Sequence, residues 1–270
     1  MSSDTNTSTI LLITGANTGL GLETVKALYQ SNKATYTILL AGRDISKANA
    51  AAKAVESDLK SPSGSVIRTL QVDIEDDESI EKAGEWVKRE YGRLDVLINN
   101  AGAQFDQIPD LPPRTIWSQS WSVNVVGTHL LTHTLAPLLL SSPTPRLLFL
   151  ASGTSSLTTA GNTSLAVDQS PSAGWPKQGF NIPAYRASKA GLNMVMREWA
   201  RLLKGDGVRV WAVSPGFLAT GLGGKGKEDM MRGMGAGEPA VGAEVVRAVV
   251  EGERDGEVGC VVKQGGVQPF

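Results

Sequence analysis

Thr14-Gly15-Ala16-Asn17-Thr18-Gly19-Leu20-Gly21 follows a short apolar run at residues 10–13 and opens a helical pattern that continues to about residue 30. That context gives the glycines a meaning. They let the backbone turn tightly and approach a ligand closely, and the helix that follows presents unpaired N–H groups at its amino end. A strand, a glycine turn and a helix in this order form a phosphate-binding unit. A glycine triplet alone is weak evidence, so the rest of the chain has to agree.

Apolar, β-rich runs alternate with helical patterns along the whole chain. Strands are expected at residues 10–14, 36–41, 66–72, 94–98, 146–151, 208–213 and 258–262, and helices at about 19–30, 45–60, 76–91, 115–140, 184–204 and 242–252. Continuously apolar strands separated by helices indicate a parallel sheet covered on both faces. The expected class is α/β: a single doubly wound Rossmann-type parallel sheet of about seven strands with helices on both faces. One dinucleotide-binding domain is expected over 1–270, with substrate loops at about 153–183 and 217–241. The first loop is rich in Ser, Thr, Gly and Pro, the second in Gly and Met. Both follow carboxyl ends of strands, where open α/β sheets bind ligands.

Composition narrows the function. The 270 residues carry 26 basic and 27 acidic side chains, a net charge of -1, so no basic excess supports a nucleic-acid or anionic-membrane partner. The uncharged span 115–145 holds Ser118, Gln119, Ser120, Asn124, Thr128 and two histidines, which argues against a membrane helix. Cys260 is the only cysteine, so an intramolecular disulfide is excluded and a reducing, cytoplasmic location fits. His129 and His133 have a spacing that can bind zinc, but no third ligand stands near them, and no metal is expected.

A second motif decides the chemistry. In Tyr185-Arg186-Ala187-Ser188-Lys189 the phenol and the ammonium share one helix face. A neighbouring cation favours the phenolate, so Lys189 is expected to bring Tyr185 closer to neutrality than its ordinary pKa near ~10. Together with the glycine turn, this motif resembles the short-chain dehydrogenase/reductase family from residue 10 to about 262.

The resemblance implies four catalytic residues: Asn124 to order a proton-relay water, Ser152 to polarise a carbonyl, Tyr185 as proton donor and Lys189 on the nicotinamide ribose. It also implies cofactor contacts at Gly15, Asn17, Thr18, Gly19, Leu20, Gly21, Asp73, Ile74, Asn100, Ala101, Gly102, Tyr185, Lys189, Pro215, Gly216, Phe217 and Thr220. For Asp73 a helix-preceding cap is the plainer reading.

At the end of the second strand an acidic side chain would bind the ribose hydroxyls and repel a 2′-phosphate. Here Gly42 stands there and Arg43 follows, a fork suited to phosphate, so NADP(H) is preferred over NAD(H). The alternative is a solvated Arg43 beside Asp44. Ser152 and Tyr185 lie 33 positions apart, more than in the simplest family members. The surplus resembles carbonyl-reductase-like members in which such an insert borders the substrate pocket. Thr154, Trp175, Phe180 and Phe217 are the substrate candidates, although Trp175 and Phe180 could instead anchor the loop.

The expected activity is NADPH-dependent reduction of a ketone or aldehyde, with alcohol oxidation as its reverse. The rival is an NADP-binding sensor or redox-neutral cyclase on the same scaffold. Such proteins usually lose the tyrosine or the lysine, and this chain keeps both. The partner is a small carbonyl compound, with a dimer or tetramer of the chain left open.

Overall fold

The computed structural model describes residues 8–270 except 178 and 225. The strands are β1 (Thr9–Ile13), β2 (Tyr36–Gly42), β3 (Val66–Gln71), β4 (Val96–Asn99), β5 (Arg146–Leu150), β6 (Arg209–Ser214), β7 (Val261–Lys263) and β8 (Gly266–Gln268). They form one sheet in the order β3-β2-β1-β4-β5-β6-β7-β8. The first seven are parallel, as the alternation predicts, and β8 adds an antiparallel edge, with Val261 opposite Gln268.

Alternate strand residues feed two separate cores, as a pleated sheet requires. Leu12, Leu97, Leu147 and Phe149 face one side, under α3 (Asp77–Tyr91), α5 (Thr128–Leu139) and α6 (Pro183–Leu202). Leu11, Ile98, Leu148 and Trp211 face the other, under α1 (Gly19–Tyr29), α2 (Ile45–Asp58) and α8 (Pro239–Val250). α4 (Pro113–Trp121) and α7 (Glu228–Gly233) complete the helices. No helix among the described residues is long and apolar enough to cross a membrane.

Three expectations need correction. The sheet gains an eighth strand, too short to read from sequence and bounded by Gly265 and Gly266, both at positive φ. The seventh strand begins at Val261 rather than 258, because a turn at Asp255–Glu257 and Gly259 at φ 81° delay it. The single helix expected over 115–140 is α4 and α5 joined by a π-helical segment, Ser122–Gly127. A Cβ on Gly127 would lie 1.9 Å from the Ile74 carbonyl oxygen, so the helix passes the end of β3 closely there.

Candidate active site

The glycine turn and the loop after β4 are stitched together. Thr14 Oγ1 accepts from the Asn100 and Ala101 amides at 3.0 and 2.9 Å, and Asn100 Nδ2 donates to the Thr14 carbonyl at 2.7 Å. Gly15 and Gly19 take φ of 61° and 55°, the left-handed region where glycine is at ease. A Cβ on Gly21 would come within 2.5 Å of Asn100 Nδ2 and 2.6 Å of the Gly15 carbonyl, so only glycine lets α1 start so close to the turn. Thr18, extended at the N-cap of α1, makes no side-chain cap, which leaves the first amides of the helix to a ligand. Leu20 packs into the α1-side core.

Other candidates gather on this turn. Thr220, from the loop after β6, places Cγ2 3.5 Å from where a Gly19 Cβ would stand. Pro215, Gly216 (φ 98°) and the exposed Phe217 lead into that loop. Asn17 Oδ1 lies 3.1 Å from a Cβ built on Gly42. Beside it Arg43 is exposed, and among the described residues no carboxylate pairs with it. Its neighbour Asp44 is committed to α2, accepting the Ser46 and Lys47 amides. Asp73 Oδ1 accepts the Glu75 amide, while the N-cap of α3 is Asp76, so Asp73 is not that helix's cap. Ile74 is buried against Gly127.

Asn124, Ser152, Tyr185 and Lys189 come together at the carboxyl ends of β4 and β5. Tyr185 lies in the first turn of α6, and Lys189 follows one turn later with Nζ 5.9 Å from the phenol ring centroid. Nζ donates to the Leu150 carbonyl at 2.7 Å, the last residue of β5. Asn124, in the π-helical segment, donates to the Ala103 carbonyl at 2.9 Å and the Ser188 hydroxyl at 3.0 Å. A Cβ on Gly102 would lie 3.1 Å from Asn124 Oδ1 and 3.2 Å from Lys189 Nζ. The Ser152 hydroxyl hydrogen-bonds the Tyr185 phenol and lies 3.0 Å from Thr154 Oγ1.

Burial sets the ionisation here. It pushes the Tyr185 phenol up, and the Ser152 hydrogen bond offsets only part of that. It pushes Lys189 down to about 8. The expectation that Lys189 brings the phenol toward neutrality is therefore corrected: a buried phenolate is costly, and one of the ammonium's donors goes to the Leu150 carbonyl. Tyr185 is held in the protonated form.

A ring of supporting residues holds the serine loop. The Ser152 carbonyl accepts from the Ser155 amide at 3.1 Å, the Ser155 hydroxyl at 2.6 Å and Gln268 Nε2 at 3.1 Å. Asn193 Nδ2 on α6 donates to Ser155 Oγ at 3.0 Å. Farther along, the Phe270 carbonyl takes the Thr158 amide at 2.9 Å, and Arg197 lies over the Phe270 ring. Arg186 donates to the carbonyls of Thr154 (3.2 Å) and Val167 (2.9 Å) and pairs with Asp168.

Trp175 and Phe180 are 88% and 64% exposed, so neither anchors the insert; Arg186 and the strand β8 end do. Sequence reasoning missed Arg186, Gln268 and Asp106. Of these only Arg186 carried a signal, its place inside the Tyr185–Lys189 motif.

The remaining candidates are quickly placed. His129 and His133 are exposed on α5, His129 against Trp199. Among the described residues no three His, Cys, Asp or Glu gather as a metal site. In the Met-rich second loop Met231 is buried, whereas Met230 and Met234 are exposed. Cys260, inside the strand expected over 258–262, is half-buried just before β7.

The short chain dehydrogenase family model matches residues 9–165 and 170–230. The chain is 43% identical over 266 residues to short-chain dehydrogenase/reductase tropE of Talaromyces stipitatus, covering 96% of this chain and 97% of that one. It is 46% identical over 255 residues to short-chain dehydrogenase/reductase eupG of a Phoma species, covering 91% of each. In fold it is similar to the NADPH-bound carbonyl reductase from chicken fatty liver, with a TM-score of 0.76 at 21% identity, covering 98% of this chain and all of the other. The chain belongs to the short-chain dehydrogenase/reductase family. It is an oxidoreductase whose fold implies a nicotinamide cofactor.

Proposed function

We propose that this protein is an NADPH-dependent reductase of ketone or aldehyde carbonyls, built as one unit over 1–270 with substrate loops at about 153–183 and 217–241. The observation that carries the reading is the buried Tyr185 beside the Ser152 hydroxyl, with Lys189 one turn away and its ammonium over the phenol ring. Reduction needs a group that still holds its proton at neutral pH, and a raised phenol meets that need.

The residues fit the cofactor on two counts. The turn at Gly15, Gly19 and Gly21 packs tightly enough on itself and on Asn100 and Ala101 to bring its backbone up to the uncapped amides of α1. Lys189 also has three N–H donors and, among the described residues, one hydrogen-bond acceptor, which leaves donors for ribose hydroxyls. Asn100, Ala101 and Gly102 would border the nicotinamide half, and Pro215, Gly216, Phe217 and Thr220 would close over it. Bound there, the nicotinamide supplies the hydride.

The chain's own residues do the rest. Ser152 donates to the substrate oxygen and holds it beside the phenol, and Tyr185 releases its proton to that oxygen. Lys189, held by Leu150, keeps a positive charge near the developing alkoxide. Asn124 fixes the loop at Ala103 against α6 and keeps the Lys189 side of the site in place. Purified protein incubated with NADPH and a panel of ketones and aldehydes tests the reading by loss of nicotinamide absorbance. No consumption with any carbonyl compound would reject it.

Arg43 sets the cofactor preference in this reading, since among the described residues no carboxylate pairs with its guanidinium. Arg43→Ala is expected to lower the preference for NADPH over NADH about tenfold or more, the worth of one charge-assisted contact to the 2′-phosphate. Dissociation constants for both cofactors check it, and equal loss for the two would sink the assignment.

Trp175 and Phe180 would then form the outer wall of the substrate site, exposed until an apolar substrate covers them. Trp175→Ala is expected to raise KM for a bulky aromatic ketone about tenfold while leaving a small ketone and NADPH unchanged. A two-substrate comparison on one preparation reads this out; an unchanged size preference removes Trp175 from the wall.

A further inference from the structure

Helix α6 begins without a cap of its own. Ile182 occupies the N-cap position and has no side-chain acceptor, and Pro183 fills the first helical position, where no N–H is needed. Ala184 and Tyr185 follow, and theirs are the amides that a capping side chain ordinarily satisfies.

Asp106, in the loop after β4, supplies what is missing. Its Oδ1 accepts the Ala184 amide at 2.9 Å and its Oδ2 the Tyr185 amide at 3.0 Å. The next residue, Gln107, donates Nε2 to the Asn181 carbonyl at 2.8 Å and holds the incoming chain. The carboxylate also complements the positive end of the helix dipole.

We propose that Asp106 is a positioning residue for the reaction: capping α6 from the β4 loop, it fixes the turn that carries the Tyr185 phenol. The consequence follows from place. The first turn of a helix is the part most prone to fray, and Tyr185 sits in it. The loop that carries Asp106 also carries Gly102 beside Lys189, and Ala103 hydrogen-bonded to Asn124. Asp106 therefore locks the tyrosine in register with the side of the site that would hold the nicotinamide.

The kinetic arm of the test rests on the reductase reading; the exchange arm does not. Amide hydrogen exchange is measured on the cofactor-free full chain, and kinetics with NADPH and a carbonyl compound that the wild type reduces. In Asp106→Ala the Ala184 and Tyr185 amides should lose protection while those of Leu192 and Met196, deeper in α6, keep it. Its kcat should fall about tenfold with KM for NADPH changed by less than about twofold. Asp106→Asn retains one acceptor oxygen and should recover part of both the protection and kcat.

Wild-type protection at Ala184 and Tyr185 in Asp106→Ala, or wild-type kcat, overturns the proposal. So does loss of protection spread evenly along α6, which would mean general destabilisation, or a change in NADPH affinity as large as that in kcat, which would mean direct contact. If Asp106→Ala does not fold, Asp106→Asn decides alone: it must expose Ala184 or Tyr185 selectively and lower kcat, or the proposal falls. A wild type that reduces no carbonyl compound rejects the reductase reading and leaves the exchange result to judge the cap.

Discussion

Tyr185→Phe is expected to lower kcat by about 10²- to 10⁴-fold, the usual worth of a positioned general acid, while NADPH binds almost as before. The substitution removes one hydroxyl and hardly any volume from a buried position at the start of α6. The Ser152 hydroxyl loses its phenol partner but still meets Thr154 Oγ1 at 3.0 Å, so the serine loop has no reason to move. Single-turnover rates and an NADPH titration on the same preparation check both halves. A variant that keeps most of its turnover would mean that another group donates the proton.

Lys189→Met is expected to cripple the reaction and to change how stability depends on pH. In the free enzyme the ammonium loses its proton near 8, because burial disfavours the charge. The rate constant kcat/KM of the wild type should accordingly decline as pH rises through about 8.

The stability effect runs the other way. In the unfolded chain the lysine holds its proton to its ordinary value of 10.5, whereas in the folded chain it releases it near 8. Between those values the unfolded state binds more protons, so folded stability gains as pH rises. Below them both states are charged, and the fold bears the full penalty of a buried ammonium. Over that window the wild type should gain roughly 3 kcal/mol relative to Lys189→Met. Denaturant unfolding of both proteins at several alkaline pH values measures it. Parallel curves would mean that the ammonium is better solvated than its burial implies.

Much of the fold was legible because the central parallel strands, β1, β2, β4 and β5, are buried on both faces and read as largely apolar runs. Strand β8 was not, since three residues between Gly265 and Pro269 carry no period. The π-helical segment was hidden for another reason: an apolar helix pattern does not reveal that Gly127 must pass the Ile74 carbonyl.

In the site, Tyr185 and Lys189 were legible from a spacing that one helix turn makes meaningful. Their supports were not. Asp106 and Tyr185 stand 79 residues apart, and Gln268 and Ser152 stand 116 apart, so the fold alone introduces them. The sign of the Tyr185 shift was also beyond the sequence, because only the fold shows how deeply the phenol is buried.

The grip of Gln268 on the Ser152 carbonyl has a consequence for the order in which the protein matures. All four proposed catalytic side chains, and the glycine turn, leave the ribosome well before β8 does. A nascent chain arrested after α8 would hold the whole catalytic set with its serine loop still missing a tether. Contacts this distant in sequence are closed late, after local helices and neighbouring strands have formed. Competence for chemistry would then arrive with the β7–β8 hairpin rather than with the residues proposed to perform it, and a chain made only as far as α8 would be a poor catalyst even where its amino-terminal half had already folded.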